Sequence, residues 1–176
     1  MSRIKPLNLQ EVNEEAKAVY EEIQNAFGMV PNLFRTYAHF PPLLKANWEK
    51  TKALMMGGSL SRELKECIAV VVSQANSCQY CVAAHSAMLK GLGFTDERIQ
   101  AIQQNLDAAV LSQKERRILE FVKKSTLTPL TITDQEFQEL QELGVTDSEV
   151  VEMQGVMELY TGYNKFLDSL SVTIDF

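Results

Sequence analysis

Apolar residues recur at helical spacing along almost the whole chain, and this period limits the possible folds more than any other feature. The first stretch shows it as one apolar stripe, formed by Val12, Ala16, Val19, Tyr20, Ile23 and Phe27. The 8 Gly and 5 Pro fall well short of the roughly 21 that average usage gives in 176 residues, which argues against many short strands. The sequence therefore predicts an all-α fold.

Helix starts are marked clearly in the second half of the chain. Three capping boxes lie at 112–115, 133–136 and 146–149, where a Ser or Thr hydroxyl and a Glu carboxylate satisfy backbone amides that the helix leaves unpaired. The residues at 172–176 have no such pattern and are expected to be extended. We find no linker and no repeat, so residues 1–176 are predicted to form a single helical domain.

The most apolar segment is a predicted helix over 64–75, followed after Asn76-Ser77 by a second helix over 78–90. Residues 67–72 are apolar on nearly every side of the first helix. Such a helix is expected in the core of the domain.

Charge and cysteine content narrow the setting of the protein. The net charge is −6 and the 17 Lys and Arg residues form no basic run, so nucleic acid or an anionic membrane is not the expected partner. No apolar stretch approaches the ~18 residues of a membrane span, and the first residues lack the apolar core of a signal peptide. Three cysteines in such a chain indicate thiols in a reducing compartment, and we expect a cytoplasmic protein.

Four residues are the candidates for a catalytic site: Glu66, Cys78, Cys81 and His85. Ser77 is a natural N-cap, which would put Cys78 at the first helical position, where backbone amides and the helix dipole should lower a thiol pKa. Cys81 and His85 are four residues apart and share a helix face. If the two helices form an antiparallel hairpin, Glu66 and His85 lie within roughly 3 Å of the same level. A Glu66–His85–Cys81 relay is therefore geometrically reasonable.

A lower thiol pKa does not by itself make a good nucleophilic centre. The gain in thiolate is largely offset by the lower nucleophilicity of a more acidic thiol, leaving about a twofold benefit. Delivery of a proton to the leaving group is the more useful contribution, and a Glu/His pair can supply it. From the residues alone, Cys78 is the favoured nucleophile, because it lies nearer the helix end and is expected to be more exposed than Cys81.

The pattern Glu66, eleven residues, Cys78-Gln-Tyr-Cys81, three residues and His85 resembles the signature of the alkylhydroperoxidase D-like branch of the carboxymuconolactone decarboxylase family. The segments at 30–35 and 61–64 are similar to peroxidase-related members, and the motif region covers 60–92. The resemblance implies an all-helical bundle with a CxxC at a helix N-terminus. It also implies a homo-oligomer, trimeric or hexameric, that reduces hydroperoxides without metal or flavin.

The same resemblance assigns the site residues. Cys81 would be the peroxidatic cysteine and Cys78 the resolving one, with Glu66 and His85 as proton relay. The reductant would be a dithiol protein, either lipoylated or thioredoxin-like. Tyr80 departs from the best-known enzyme of this type, which has a histidine before its second cysteine. Decarboxylating members generally lack the cysteine pair, which argues against lactone chemistry.

Two other functions fit the same residues. The chain could be a general dithiol–disulfide oxidoreductase, or a non-catalytic helical scaffold in which Cys78, Cys81 and His85 hold a structural metal. Tetrahedral zinc needs four ligands, and Cys67, the remaining cysteine, belongs to an apolar stripe and is expected in the core. Tyr160 is likewise expected to pack in the core or at a subunit contact rather than bind a cofactor.

Overall fold

The computed structural model describes residues 2–176, and all regular structure in this range is helical. The described chain contains nine α-helices: α1 Glu14–Phe27, α2 Asn32–Tyr37, α3 Pro41–Thr51, α4 Arg62–Ala75, α5 Gln79–Gly91, α6 Asp96–Gln104, α7 Gln113–Leu127, α8 Asp134–Glu142 and α9 Asp147–Ser169. A π-helical turn, Lys52–Met56, continues α3, and 3₁₀ turns lie at Leu9–Glu11 and Pro129–Thr131. The predicted all-α class is confirmed.

The three predicted capping boxes begin α7, α8 and α9. In each, the N-cap hydroxyl of Ser112, Thr133 or Thr146 accepts a hydrogen bond from the amide three residues later, and the Glu there accepts from the N-cap amide. Local side-chain chemistry thus sets these helix starts without help from the rest of the fold.

Helix α4 lies at the centre of the molecule, as its apolar character predicts. It packs against α5, α6, α7 and α9, and every residue from Leu64 to Ser73 is buried. No helix among residues 2–176 combines the length and the apolarity needed to cross a bilayer. Three polar residues of α4, Lys65, Glu66 and Ser73, are buried in the core, where each needs a partner.

The turn between α4 and α5 differs from the prediction that Ser77 caps α5. Ser77 has a left-handed backbone, with φ of 63°, and it ends α4 instead. Its amide donates to the Gln74 carbonyl and the Cys78 amide donates to the Ser73 carbonyl, which is the Schellman pattern of helix ends. Cys78 becomes the N-cap of α5, one residue earlier relative to the helix than predicted. The prediction was wrong because Ser77 belongs to the end of α4, where the carbonyls left free by the helix accept hydrogen bonds from the amides of Ser77 and Cys78.

Candidate active site

The α4–α5 hairpin brings Glu66 beside His85. Glu66 Oε2 lies 2.6 Å from His85 Nδ1, and the Glu66 carboxylate is almost fully buried. Since a carboxylate can only accept, Nδ1 carries the proton and Nε2 is the ring nitrogen left for another partner. Arg62, one turn before Glu66, approaches its other oxygen at 4.0 Å from the solvent side. The Glu66 carboxylate therefore orients the His85 ring and places a negative charge beside it.

Both cysteines of the CxxC segment are free thiols and both are buried. Cys78 at the N-cap of α5 is 0% exposed, and Cys81 in its first turn is 3% exposed. The expectation that Cys78 is the more exposed thiol was wrong, because the turn through Ser77 folds Cys78 inward beneath the end of α4. Access to either sulfur consequently depends on a cavity rather than on the outer surface.

The two thiols influence each other's ionisation. The pKa of the Cys78 thiol is lowered chiefly by a hydrogen bond from the Cys81 side chain, which outweighs the cost of burial. The pKa of Cys81 is raised well above its usual value by the same interaction with Cys78 and by burial, with a smaller opposing effect from Asn164 and Ser73. The pKa of Cys78 is lowered, as predicted, but the main cause is Cys81 rather than the helix start.

An inner cavity of about 160 Å³ opens onto Cys81. Its walls are mainly apolar and aromatic and are formed by Phe27, Met29, Pro31, Leu33, Phe34, Thr51, Tyr80, Cys81, Ala84, His85, Ala87, Met88, Tyr160, Tyr163 and Phe176. Cys81 and His85 both line it, as their i, i+4 spacing on α5 requires, whereas Cys78 does not. Apolar cavities of about 150 Å³ hold a benzene-sized molecule. A small organic molecule in this cavity would therefore meet Cys81 first.

A second, outer cavity of about 470 Å³ adjoins the inner one and shares five lining residues with it: Phe27, Thr51, His85, Met88 and Tyr160. Glu66, Arg62 and Lys65 line only the outer cavity. The Tyr160 ring contacts the His85 ring edge-to-face, with centroids 4.4 Å apart. The His85 imidazole thus borders both the apolar inner cavity at Cys81 and the more polar outer cavity.

Two residues of α9 belong to the site and were not identified as functional from the sequence. Tyr160 is buried as predicted, but it also fixes the His85 ring. Asn164 is fully buried and bonds to Ser73 and Asn76 at 3.1 Å each, which ties α9 to the hairpin beside Cys81. The available signal was one polar residue among the apolar positions of α9, and a polar residue there needs buried partners.

A buried ion pair fixes the wall of the outer cavity. Lys65 Nζ lies 2.6 Å from Glu152 Oε1, and the Lys65 side chain is 2% exposed. Glu152 also accepts from the Ser59 amide at 2.7 Å and from the Leu60 amide, and Lys65 donates to the Gly57 carbonyl. Burial opposes ionisation of Glu152, but Lys65 and the Ser59 donors outweigh it and hold the pKa of Glu152 below its usual value. The pair therefore anchors the turn at 57–60 next to Glu66.

Tyr80, which stands where the best-known enzyme of this type has a histidine, is held in hydrogen bonds as a protonated hydroxyl. Its hydroxyl donates to Asp175 Oδ1 at 2.8 Å and accepts from the Leu33 amide at 3.4 Å. Burial, together with the Asp175 carboxylate, raises the pKa of Tyr80 far above its usual value. Tyr80 therefore stays protonated and serves as a hydrogen-bond donor to the C-terminal residues.

Cys67 is separate from this site. It is 2% exposed, as predicted for a core residue, and burial raises the pKa of its thiol to about 12. Across residues 2–176, no three His, Cys, Asp or Glu side chains are grouped so as to hold a metal ion. Cys67 accordingly offers a natural internal control for thiol chemistry.

Comparison with known families and curated proteins gives partial matches. The model described as "Carboxymuconolactone decarboxylase family" matches residues 41–124, which include all four predicted site residues. An alkyl hydroperoxide reductase of Mycobacterium tuberculosis is 29% identical over 96 residues, 54% of this chain and 28% of that protein. An uncharacterised protein of Bacillus subtilis, YdfG, is 31% identical over 71 residues, 40% of this chain and 48% of that protein. The matches thus span less than half the length of either relative.

Solved structures match over nearly the whole chain. An uncharacterised peroxidase-related protein of Ralstonia eutropha, described as an alkylhydroperoxidase AhpD core, is 27% identical with a TM-score of 0.90, covering 99% of this chain and 92% of its own. A second peroxidase-related protein, from a Silicibacter species, is 28% identical with a TM-score of 0.87, covering 99% and 95%. The debrominase Bmp8 shares the fold at 20% identity and a TM-score of 0.84, covering 98% and 91%.

Proposed function

We propose that this chain, which is similar to the carboxymuconolactone decarboxylase family over residues 41–124 and to alkylhydroperoxidase-related proteins in fold, reduces organic hydroperoxides with the Cys78–Cys81 pair. Named relatives in this family are enzymes. One observation carries the proposal: Cys81 and His85 face a single apolar cavity, and Glu66 holds the other nitrogen of His85 at 2.6 Å. A nucleophile and an oriented proton donor thus border one space of the size of a small organic molecule.

In the first step the Cys81 sulfur attacks the distal oxygen of the hydroperoxide. An S–O bond forms, the O–O bond breaks, and the alkoxide leaves with the electron pair. Cys81 gives up its proton to the Cys78 thiolate, to which it is hydrogen-bonded. His85 donates a proton to the alkoxide, and the Glu66 carboxylate stabilises the imidazolium beforehand. The products are an alcohol and the sulfenic acid of Cys81.

In the second step Cys78 attacks the sulfenic sulfur. The S–S bond forms, the S–O bond breaks, and the proton that Cys78 received in the first step goes to the departing hydroxide, which leaves as water. A disulfide at a helix start closes a short ring that is easily reopened by thiol exchange. A dithiol protein, lipoylated or thioredoxin-like, supplies the two electrons that restore both thiols. Per cycle, one hydroperoxide becomes one alcohol and one water at the expense of one dithiol.

Steady-state consumption of cumene hydroperoxide with dihydrolipoamide as reductant tests this function. Turnover should be retained in Cys67→Ser, since that thiol lies in the core away from both cavities. Faster reaction with a protein disulfide than with the hydroperoxide would instead identify a general dithiol–disulfide oxidoreductase. A stoichiometric, tightly held zinc ion in the purified protein, with no peroxide turnover, would identify a metal-clipped scaffold.

Glu66→Gln is expected to lower kcat for hydroperoxide by about 10²-fold, because His85 loses the anionic partner that orients its ring and supports proton transfer to the leaving alkoxide. The side chain keeps its size and its ability to accept from Nδ1, so the fold should persist. The measurement is the pH–rate profile, which should change shape as well as height. Glu63→Gln, an exposed glutamate on the same helix, is the matched control and should leave both unchanged. An unaltered profile in Glu66→Gln would exclude Glu66 from the relay.

A further inference from the structure

The C-terminal segment, residues 172–176, lies over the inner cavity. It forms no helix or strand, yet its last residue, Phe176, is one wall of the space that Cys81 faces. The Phe176 ring meets the Tyr80 ring edge-to-face, with centroids 5.1 Å apart, and 49% of Phe176 remains exposed. Phe176 is therefore positioned between the cavity and solvent.

Asp175 fastens this segment to two separate helices. One oxygen of its carboxylate accepts from the Tyr80 hydroxyl of α5, and the other accepts from the Asn32 amide at the start of α2, each at 2.8 Å. The Asn32 side chain in turn donates to the Thr173 carbonyl at 3.0 Å. The segment is thus held at both Asp175 and Thr173, on either side of Ile174.

Charge favours this attachment. Pro31, the N-cap of α2, makes no side-chain capping bond, so the Asp175 carboxylate supplies the acceptor that the helix start lacks. An anion at this position also gains from the helix dipole, and hydrogen bonds to an ionised group are stronger than neutral ones. Tyr80 stays protonated, so it can donate throughout the neutral pH range. The Asp175 carboxylate therefore joins one donor on α5 to one donor at the start of α2.

The covered thiols need a route from solvent. Cys78 and Cys81 are 0% and 3% exposed, so a substrate reaches sulfur only through a cavity. The inner cavity, about 160 Å³ in volume, is bounded by residues of α1, α2, α3, α5 and α9, by Met29 and Pro31 of the loop before α2, and by Phe176. Phe176 is the wall residue that the C-terminal segment supplies, and this segment is held by one aromatic contact and by hydrogen bonds through Asp175 and Thr173.

We propose that the C-terminal segment is the specificity-determining cover of the Cys81 cavity. Phe176 restricts the cavity to compact apolar hydroperoxides and excludes long-chain ones, and Tyr80 acts as a positioning residue that holds Phe176 in place through Asp175. The inference rests on the proposed hydroperoxide reduction for its substrate and on the contacts above for its geometry. Tyr80 thereby has a role in substrate selection rather than in proton transfer.

Two hydroperoxides of different size test the cover: cumene hydroperoxide and linoleic acid hydroperoxide, each with dihydrolipoamide. Phe176→Ala should raise kcat/KM for the long-chain substrate about 10-fold relative to cumene hydroperoxide, because the closing wall is removed. Tyr80→Phe keeps the ring and loses the hydroxyl, and should shift the same ratio chiefly through KM. Phe40→Ala, which removes a 61% exposed phenylalanine outside both cavities, is the control and should leave the ratio unaltered.

Alkylation of Cys81 tests the proposed C-terminal cover independently of the proposed hydroperoxide reduction. The rate with a bulky maleimide, located by peptide mass, should rise in Phe176→Ala and Tyr80→Phe and not in Phe40→Ala, whether or not peroxide is a substrate. Unchanged substrate ratio and unchanged alkylation in an active enzyme would overturn the cover. Faster alkylation in a protein that reduces no hydroperoxide would retain the cover and reject both the proposed function and the substrate restriction.

Discussion

Cys81→Ser should abolish hydroperoxide reduction, lowering kcat/KM by at least about 10³-fold, because a serine hydroxyl is a far weaker nucleophile than a thiol and no other group on the inner cavity can replace it. Cys81 is the cysteine that lines this cavity, and the change from sulfur to oxygen alters its packing little. The measurement is hydroperoxide consumption at saturating dithiol. Cys67→Ser, the same substitution in the core, should retain activity and so control for loss of a buried sulfur.

Cys78→Ser should also lose catalytic turnover, but at a later step than Cys81→Ser. Without a resolving thiol the enzyme cannot complete a catalytic cycle, yet Cys81 should still react once and accumulate as a sulfenic acid that dimedone traps. Cys81→Ser should form no such adduct. If Cys81→Ser accumulates the sulfenic acid at Cys78 and Cys78→Ser does not, the two roles are reversed.

This comparison matters because access and acidity favour different cysteines. The cavity faces Cys81, whereas the lowered pKa belongs to Cys78. The two thiols are linked by a hydrogen bond, so the proton on Cys81 has an acceptor at hand when the hydroperoxide arrives. Contact with substrate is indispensable for attack, and acidity of the partner assists it. These observations support our proposal that Cys81 is the peroxidatic cysteine and that Cys78 accepts its proton.

Glu152→Gln should lower the free energy of unfolding by about 3 kcal/mol, because it leaves the buried Lys65 ammonium without an anionic partner. Lys65 is 2% exposed and would retain only the Gly57 carbonyl and a neutral amide. Urea unfolding at neutral pH measures the effect. Glu158→Gln on the same helix removes the carboxylate of a largely exposed pair with Lys50, and should change stability by no more than about 0.5 kcal/mol.

The loss in Glu152→Gln should depend on pH in a defined direction. Because the pKa of Glu152 is lower in the folded protein than its ordinary value of 4.5, ionised Glu152 stabilises the fold fully above that value. The contribution declines as the pH falls from 4.5 through the lower folded-state pKa. The stability difference between wild type and Glu152→Gln should therefore narrow in acid. A difference that stays constant below pH 4.5 would show that the ionised carboxylate is not the source.

Local signals in the sequence account for the helices and for part of the site. The capping boxes at Ser112, Thr133 and Thr146 lie within four-residue segments, and the i, i+4 spacing of Cys81 and His85 needs only helix geometry. Glu66 could be placed beside His85 because the intervening turn is short.

The features that the sequence did not reveal depend on distant contacts. Asn164 meets Asn76 across 88 residues, and Asp175 meets Tyr80 across 95. Nothing near Tyr80 in the sequence indicates that its hydroxyl holds the C-terminal segment. The prediction of Ser77 as an N-cap failed for a related reason. Ser77 could end α4 or begin α5, and in the structure it ends α4 with a left-handed backbone and a hydrogen bond to an α4 carbonyl.

The most direct test of the proposed chemistry is the thiol stoichiometry of one oxidation. The reduced chain has three cysteines, and one equivalent of cumene hydroperoxide should consume two thiols, Cys78 and Cys81, while producing one equivalent of alcohol. Cys67 should remain free, and dithiothreitol should restore both of the others. Three thiols persisting after the hydroperoxide is added, or oxidation located at Cys67 in place of the pair, would contradict hydroperoxide reduction at this site.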